Sequence, residues 1–197
     1  MIVVTDEVKD GILFFERIFQ IVLALAIGEA FKQYFPERKA EGHRTVLLDS
    51  TPALIAFIIL IVTFYLGMDR YFWRSYINPH AMSDHYAAHL MFDSVLFMLE
   101  SALFFSMSRN LHQDRWKTFY LLIAVLLLVD IVWCVHGTLL GPDSFVGWIE
   151  WDCLFLVCIG ALRYVSPREG LAAWIGLSMT FIITLCSYLL FWRLYFA

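Results

Sequence analysis

Long apolar stretches alternate with short polar connections along the chain. Six such stretches can be marked, each close to the length of about 20 residues that a helix needs to cross a bilayer. Because lipid offers the backbone no hydrogen-bond partner, these stretches are expected to be helical. The pattern predicts an all-α, polytopic transmembrane helix bundle with helices near residues 12–35, 51–72, 86–107, 117–140, 145–165 and 170–196.

The composition points to the same class. Hydrophobic residues make up 61% of the 197 residues and charged residues 16%, with a mean hydropathy of +0.72. A soluble domain is typically about 45–50% apolar, and a chain of this length cannot hide such an excess in a core. Since the connections are short, residues 1–197 are predicted to form a single integral membrane domain. The first stretch has Glu16 and Arg17 near its start, and an orientation along the membrane surface stays open for it.

The basic residues are concentrated in the loops after the first, third and fifth stretches. By the positive-inside rule these loops are cytoplasmic. We therefore expect a multi-pass protein of the bacterial inner (plasma) membrane, in contact with the lipid bilayer. The basic loop 32–48 is a candidate surface for a protein partner. No basic, aromatic patch of the kind that binds nucleic acid is present.

Cysteine and aromatic residues have ordinary interpretations at this stage. The 4 cysteines all lie in apolar stretches without a CxxC motif, which is typical of small buried side chains rather than of a disulfide framework. Tyr71, Tyr76 and Trp148 lie near predicted helix ends. That position is typical of the aromatic belt at the membrane interface.

One segment, DHYAAHLMFDSVLFMLE, carries ionisable residues through an apolar helix. At about 100° per residue, His85, His89, Asp93 and Glu100 project within an arc of roughly 80°. Asp130 lies in the middle of the fourth stretch, and no Lys or Arg lies at matching depth in the second, third or fourth. An ionised side chain at the bilayer centre costs at least about 2.5–3.5 kcal/mol. These five residues are therefore predicted to bind or pass a cation, either a proton or a metal ion.

Further polar residues are expected where the third and fifth helices begin and the fourth ends, at the outer face. The residues of this predicted outer mouth are Asp84, His136, Glu150 and Asp152. Together with the stripe on the third helix, they predict a polar path that leads inward. The alternative is that these side chains only join helices, with Ser94, Ser101, Thr138 or nearby tyrosines as partners.

His85, His89 and Asp93 are spaced one helical turn apart and are candidate ligands of a metal ion. The spacing is common, and the HExxH motif is absent because Tyr86 follows His85. A haem between His136 and one of these histidines is conceivable, although nothing specifies it. No catalytic residue is assigned, because the chain has neither a GxSxG motif nor a glycine-rich phosphate loop.

Three functions remain open from the sequence. The favoured one is a homo-oligomeric channel or transporter for a cation, lined by acids and histidines. The second is a non-catalytic membrane subunit or effector that acts in a complex with a separate soluble partner. The third is an integral membrane enzyme that depends on a metal ion.

Overall fold

The computed structural model describes residues 6–35, 44–77, 86–140, 145–165 and 169–192, which are helical apart from short turns and include no strand. The six predicted helices are confirmed. A π-helical turn at Trp73–Ile77 continues the second helix, and a 3-10 turn at Gln113–Arg115 precedes the fourth. The helices are α1 (Asp6–Tyr34), α2 (Arg44–Phe72), α3 (Tyr86–Ser108), α4 (Trp116–Leu140), α5 (Val146–Val165) and α6 (Glu169–Leu190).

Two helices begin earlier than the apolar pattern predicts. α1 begins at Asp6 and α2 at Arg44, whereas the stretches were expected to begin near residues 12 and 51. Hydropathy marks only the part of a helix that lies in hydrocarbon. A helix can continue beyond that part with polar side chains, because its backbone hydrogen bonds remain internal.

By length and composition, five of the described helices can cross a membrane. α1 is among them, with a candidate span at Lys9–Tyr34. The exception is α5, whose 20 residues include Glu150, Asp152 and Arg163. This helix nevertheless packs along α4 within the bundle. The chain is therefore a multi-pass integral membrane protein.

Neighbouring helices in the sequence run antiparallel. α3 packs against α1 and α4, α4 packs against α5, and α2 packs against α1 and α6. Phe97 contacts Trp133, whereas His89, which is earlier in α3, contacts His136, which is later in α4. The end of α2, the start of α3, the end of α4 and the start of α5 therefore meet at one end of the bundle, which we call the histidine end. That this end faces away from the cytoplasm stays a prediction from the basic loops.

The bundle combines buried acids in a mainly hydrophobic core with many exposed hydrophobic side chains. Four acids are buried, with exposed fractions of 0% for Asp93, 1% for Glu100, 5% for Asp130 and 7% for Asp152. Buried acids of this kind are rare in membrane proteins and commonly have a function. Exposed hydrophobic side chains, which suit contact with lipid, include Met91, Val95, Leu128, Val132 and Val157.

Candidate functional site

Asp93 on α3 is the side chain at which α2, α3 and α4 meet near the histidine end. The hydroxyl of Tyr71 donates a hydrogen bond to its Oδ2 at 2.7 Å. The hydroxyl of Tyr76 donates to the same oxygen. Two donors on one oxygen fix the position of the carboxyl group against α2.

The position of Tyr76 depends on a change of helical winding at the end of α2. Residues five apart lie about 140° apart around an α-helix. In the π-helical turn at Trp73–Ile77, hydrogen bonds instead join residues five apart, and the wider winding reduces their angular separation. Tyr71 lies just before this turn and Tyr76 within it, and both hydroxyls reach the same carboxyl oxygen.

Two histidines lie beside the other oxygen of Asp93. His136 Nδ1 is 3.9 Å from Asp93 Oδ1, which is longer than a hydrogen bond but within reach of one bridging water or ion. Neither atom has a hydrogen-bond partner among the described residues. The ring of His89 lies next to that of His136, with centroids 5.1 Å apart. We call Asp93, His89, His136, Tyr71 and Tyr76 the histidine group.

A second polar cluster lies deeper in the bundle, near the middle of α3 and α4. Asp130, Cys134 and Asp152 each place one potential ligand atom within 4.8 Å of the others. The indole N–H of Trp148 donates to Asp130 Oδ2 at 2.8 Å. Glu100 is almost completely enclosed and close enough to Asp130 to be repelled by its charge. We call Glu100, Asp130, Cys134 and Asp152 the acidic group.

The acidic group cannot carry a full set of negative charges. At 4.8 Å or less, two ionised carboxylates repel each other by about 3 kcal/mol or more at an effective dielectric constant of roughly 20. If Asp130, Asp93 or Asp152 were ionised, each would also repel a negative charge on Glu100. Within the described part of the chain, Oε1 of Glu100 and Oδ2 of Asp152 have no hydrogen-bond partner. Carboxyl groups in this position keep protons or hold a cation.

A cavity of about 40 Å³ lies between the two groups. Its walls include Tyr71 from the histidine group, Glu100 and Asp130 from the acidic group, and Trp133. This volume has room for a water molecule. The indole N–H of Trp133, which has no hydrogen-bond partner among the described residues, is a donor available to it. Most of the remaining walls are apolar, with Phe64, Met68 and Phe97 among them. The cavity therefore brings Tyr71, which holds Asp93, to the same space as Glu100 and Asp130.

The other half of the bundle interior is filled mostly by apolar side chains, with Ser101, Ser108 and Thr180 as buried polar residues. Because α3 and α4 are antiparallel, the part of α3 beyond Glu100 lies beside the first half of α4. Phe104 packs edge-on against Phe57 and Phe64 of α2. In this conformation the polar connection ends at the acidic group. The large, fully buried side chains of this half include Phe57, Phe104, Phe119, Ile123 and Leu126.

Most of the residues predicted from the sequence lie in these two groups. The stripe on α3 does face the interior, since Asp93 and Glu100 are both buried, while Val95 and Leu99 point away from it. Asp130 on α4 and Glu100 on α3 line the same cavity. The predicted residues that the structure brings together are His89, Asp93 and His136 in one group and Glu100, Asp130 and Asp152 in the other.

One predicted residue, Glu150, is not brought to these groups, and two others lie outside the described residues. Glu150 was expected at the mouth together with Asp152, but it is exposed on α5. Residues two apart point about 160° away from each other on a helix, so only one of this pair can face the interior. Asp84 and His85 lie outside the described residues, and the metal site predicted at His85, His89 and Asp93 therefore stays a prediction.

The interpretation of three aromatic residues as a membrane-interface belt has to be corrected. Tyr71, Tyr76 and Trp148 each donate a hydrogen bond to a buried acid. Cys134, interpreted as a small packing residue, lies within the acidic group. Its spacing of four residues from Asp130 was the one signal in the sequence that could have suggested this role.

The serines and the threonine considered as partners of the acids bond elsewhere. Ser94 and Ser101 donate to backbone carbonyl groups one turn earlier in α3, those of Leu90 and Phe97. Thr138 accepts the backbone N–H of Phe145. Of the alternatives open from the sequence, the tyrosines are the ones that bind Asp93.

No known protein family, curated protein or solved structure matches this chain. The fold defines its class, a multi-pass integral membrane protein with buried ionisable residues. Any finer function has to be argued from the geometry of the histidine group and the acidic group.

Proposed function

We propose that this protein carries a cation across the membrane along a path formed by the histidine group, the cavity and the acidic group. The observation that supports this most is the cavity, which is lined by Tyr71, Glu100 and Asp130 inside an apolar bundle. Residues that only join helices would satisfy one another. Along the path, several buried polar atoms have no hydrogen-bond partner within the described residues, as expected where a mobile ion or water is the partner. Trp116 Nε1 and the hydroxyl of Tyr120, outside the path, also lack one.

The charge of the path favours a cation. The acidic group contributes carboxyl groups and a thiol, so an anion would be repelled at the middle of the bundle. Imidazoles and carboxyl groups can both accept and release protons near neutral pH when their surroundings are tuned. A proton would pass from His136 to Asp93 and then, through water in the cavity, to Glu100 and Asp130. The same oxygen and nitrogen atoms can also bind a metal ion.

The apolar half of the bundle favours a transporter over an open pore. A continuous pore needs polar or wetted walls on both sides of the membrane, whereas this path ends at Glu100 and Asp130. Transporters that bind their cargo at mid-membrane open one side at a time. The π-helical turn at Trp73–Ile77 is the expected moving element, because a change of winding there would withdraw Tyr76 from Asp93.

The proposed path lies inside one chain. Its described members all come from α2 to α5 of the same bundle. A pore between protomers is therefore not needed, and the homo-oligomer expected from the sequence stays a prediction.

Flux into liposomes that contain only this protein tests the proposal. Proteoliposomes under a proton gradient, and separately under a gradient of a divalent metal ion, should show flux above that of empty vesicles. Asp130→Asn should bring the flux to the level of empty vesicles. Asparagine keeps the shape and the acceptor for Trp148 but cannot exchange a proton or supply a negative charge. Glu150→Gln is the matched control, because Glu150 is exposed on α5.

Two results would contradict the proposal. One is the absence of proton and metal-ion flux in the wild-type protein, with folding verified by circular dichroism. The other is an equal loss of flux in Asp130→Asn and Glu150→Gln. A stoichiometric partner recovered in mild detergent, together with inactivity of the protein alone, would favour the function as a subunit of a complex.

A further inference from the structure

We infer that Asp130, Cys134 and Asp152 form a binding site for a divalent transition-metal ion. Asp130 and Cys134 are four residues apart on α4, so their side chains lie one turn apart on the same face. Asp152 approaches them from α5. One ligand atom of each lies within 4.8 Å of the other two. Ligands at about 2.0–2.3 Å from a tetrahedral ion lie about 3.3–3.8 Å from one another, so the side chains have to approach by up to about 1 Å to close the site.

A buried oxygen atom outside any hydrogen bond points to the same ligand. Asp152 is 7% exposed and Glu100 is 1% exposed. Asp152 Oδ2 and Glu100 Oε1 both lack a hydrogen-bond partner among the described residues. A buried polar atom without a partner is costly, and a metal ion held by Asp130, Cys134 and Asp152 would satisfy Asp152 Oδ2. Glu100 lies outside this set of three ligand atoms, although it lines a cavity together with Asp130.

Trp148 supplies the outer partner that such sites need. Its indole N–H donates to Asp130 Oδ2 at 2.8 Å. Hydrogen bonds of this kind orient a ligating carboxylate and hold it in place when the ion leaves. The site is thus built from three side chains of α4 and α5, and Trp148 orients one of them, which distinguishes the site from a chance cluster of acids.

The ligand set selects the class of metal ion. A thiolate favours ions such as Zn²⁺, Co²⁺ or Cd²⁺, whereas Mg²⁺ and Ca²⁺ prefer oxygen ligands alone. Two carboxylates and one thiolate would carry one negative charge more than a dication offsets, so in the apolar interior one of the two acids has to keep its proton. That this ion is also the cargo rests on the proposed function. The binding site itself does not depend on transport.

Titration with Co²⁺ is the most direct test, because a Co²⁺–thiolate bond gives a charge-transfer absorption that oxygen ligands do not give. The full-length protein in detergent is first stripped with a chelator. We expect saturation at about one ion per chain and displacement of Co²⁺ by Zn²⁺ but not by Mg²⁺. Cys134→Ser should abolish the charge-transfer absorption. The control, Cys158→Ser, changes a partly buried cysteine of α5 that lies outside the group and should leave the absorption unchanged.

Asp152→Asn is the second variant, because it keeps the side-chain shape if Cys134→Ser disturbs folding. It should retain the thiolate absorption but weaken Co²⁺ binding by at least about tenfold. The inference is overturned if the wild-type protein gives no charge-transfer absorption, or if Cys134→Ser retains it. Co²⁺ binding without any ion flux would support the site and contradict the proposed transport. Proton flux without Co²⁺ binding would support the proposed transport and contradict the metal site.

Discussion

Removal of the hydroxyl groups of Tyr71 and Tyr76 tests how the buried carboxyl group of Asp93 is held. Phenylalanine at either position keeps the aromatic ring, including the packing of Tyr71 on Trp133 with centroids 4.7 Å apart. It removes only the donor. Because Asp93 has 0% of its surface exposed, water cannot readily replace the lost hydrogen bond.

The size of the effect follows from the shared oxygen. Both hydroxyls donate to Asp93 Oδ2, so either one can still satisfy it when the other is removed. Hydrogen bonds between helices of membrane proteins contribute about 0.6 kcal/mol on average. We therefore expect each single variant to lower the free energy of unfolding by about 0.5–1 kcal/mol. The double variant buries the oxygen without a donor and should lower it by about 3 kcal/mol.

The assay is equilibrium unfolding in mixed micelles, followed by the helical circular dichroism signal. Tyr164→Phe is the matched control, because Tyr164 is 95% exposed and should lose nothing measurable. Asp93→Leu supplies the background without an acceptor. In that background the two Tyr→Phe substitutions should cost little, since the hydroxyls have lost their partner.

The reasoning would be refuted by additivity. If the double variant lost no more than the sum of the singles, the two hydroxyls would not share one buried acceptor. Equal losses in the wild-type and Asp93→Leu backgrounds would show that the hydroxyls stabilise the protein through other contacts.

Two further predictions concern helix packing and the orientation of α3. Gly176→Ala should lower the free energy of unfolding by about 1–3 kcal/mol, because an added Cβ would overlap the ring and hydroxyl of Tyr120. Gly160→Ala, whose added Cβ would meet nothing within 4 Å, should leave this free energy unchanged or raise it by up to about 1 kcal/mol. Equal thermal stability of the two variants would contradict the close approach of α6 to α4. In labelling, His89→Cys should react with a charged thiol reagent and Leu99→Cys should not, since the 46% exposure of Leu99 is to lipid. Equal reactivity would place the outer face of α3 in water.

The sequence predicted the parts of the structure that the bilayer itself imposes. Six helices follow from apolar length, because lipid leaves the backbone no other hydrogen-bond partners. Asp93 and Glu100 are seven residues apart, so both face the same way on any α-helix. A carboxyl group flanked by apolar residues on all sides, as Asp130 is, has to face the bundle interior. Each of these expectations follows from the length, spacing or composition of a single helix.

What could not be predicted depends on pairs of helices and on local winding. The π-helical turn that aligns Tyr76 with Tyr71 leaves no trace in an apolar pattern, and tyrosines at a helix end are typical of an interface belt. The rotation of α5 about its axis decides whether Glu150 or Asp152 faces the bundle interior, and the apolar pattern of α5 does not distinguish the two. The proximity of Cys134 to Asp152 depends on this rotation, so it could not be predicted from α4 alone.

The claim that a cation moves along the buried acids is tested most directly by proton uptake into vesicles that hold equal amounts of the wild-type protein, Glu100→Gln or Glu150→Gln. Glu100 is the last acid before the apolar half, and glutamine keeps its size while removing the exchangeable proton and the charge. We expect equal uptake by the wild-type protein and Glu150→Gln, and uptake by Glu100→Gln no faster than that of empty vesicles. Uptake by folded Glu100→Gln at the wild-type rate would contradict a path through the acidic group.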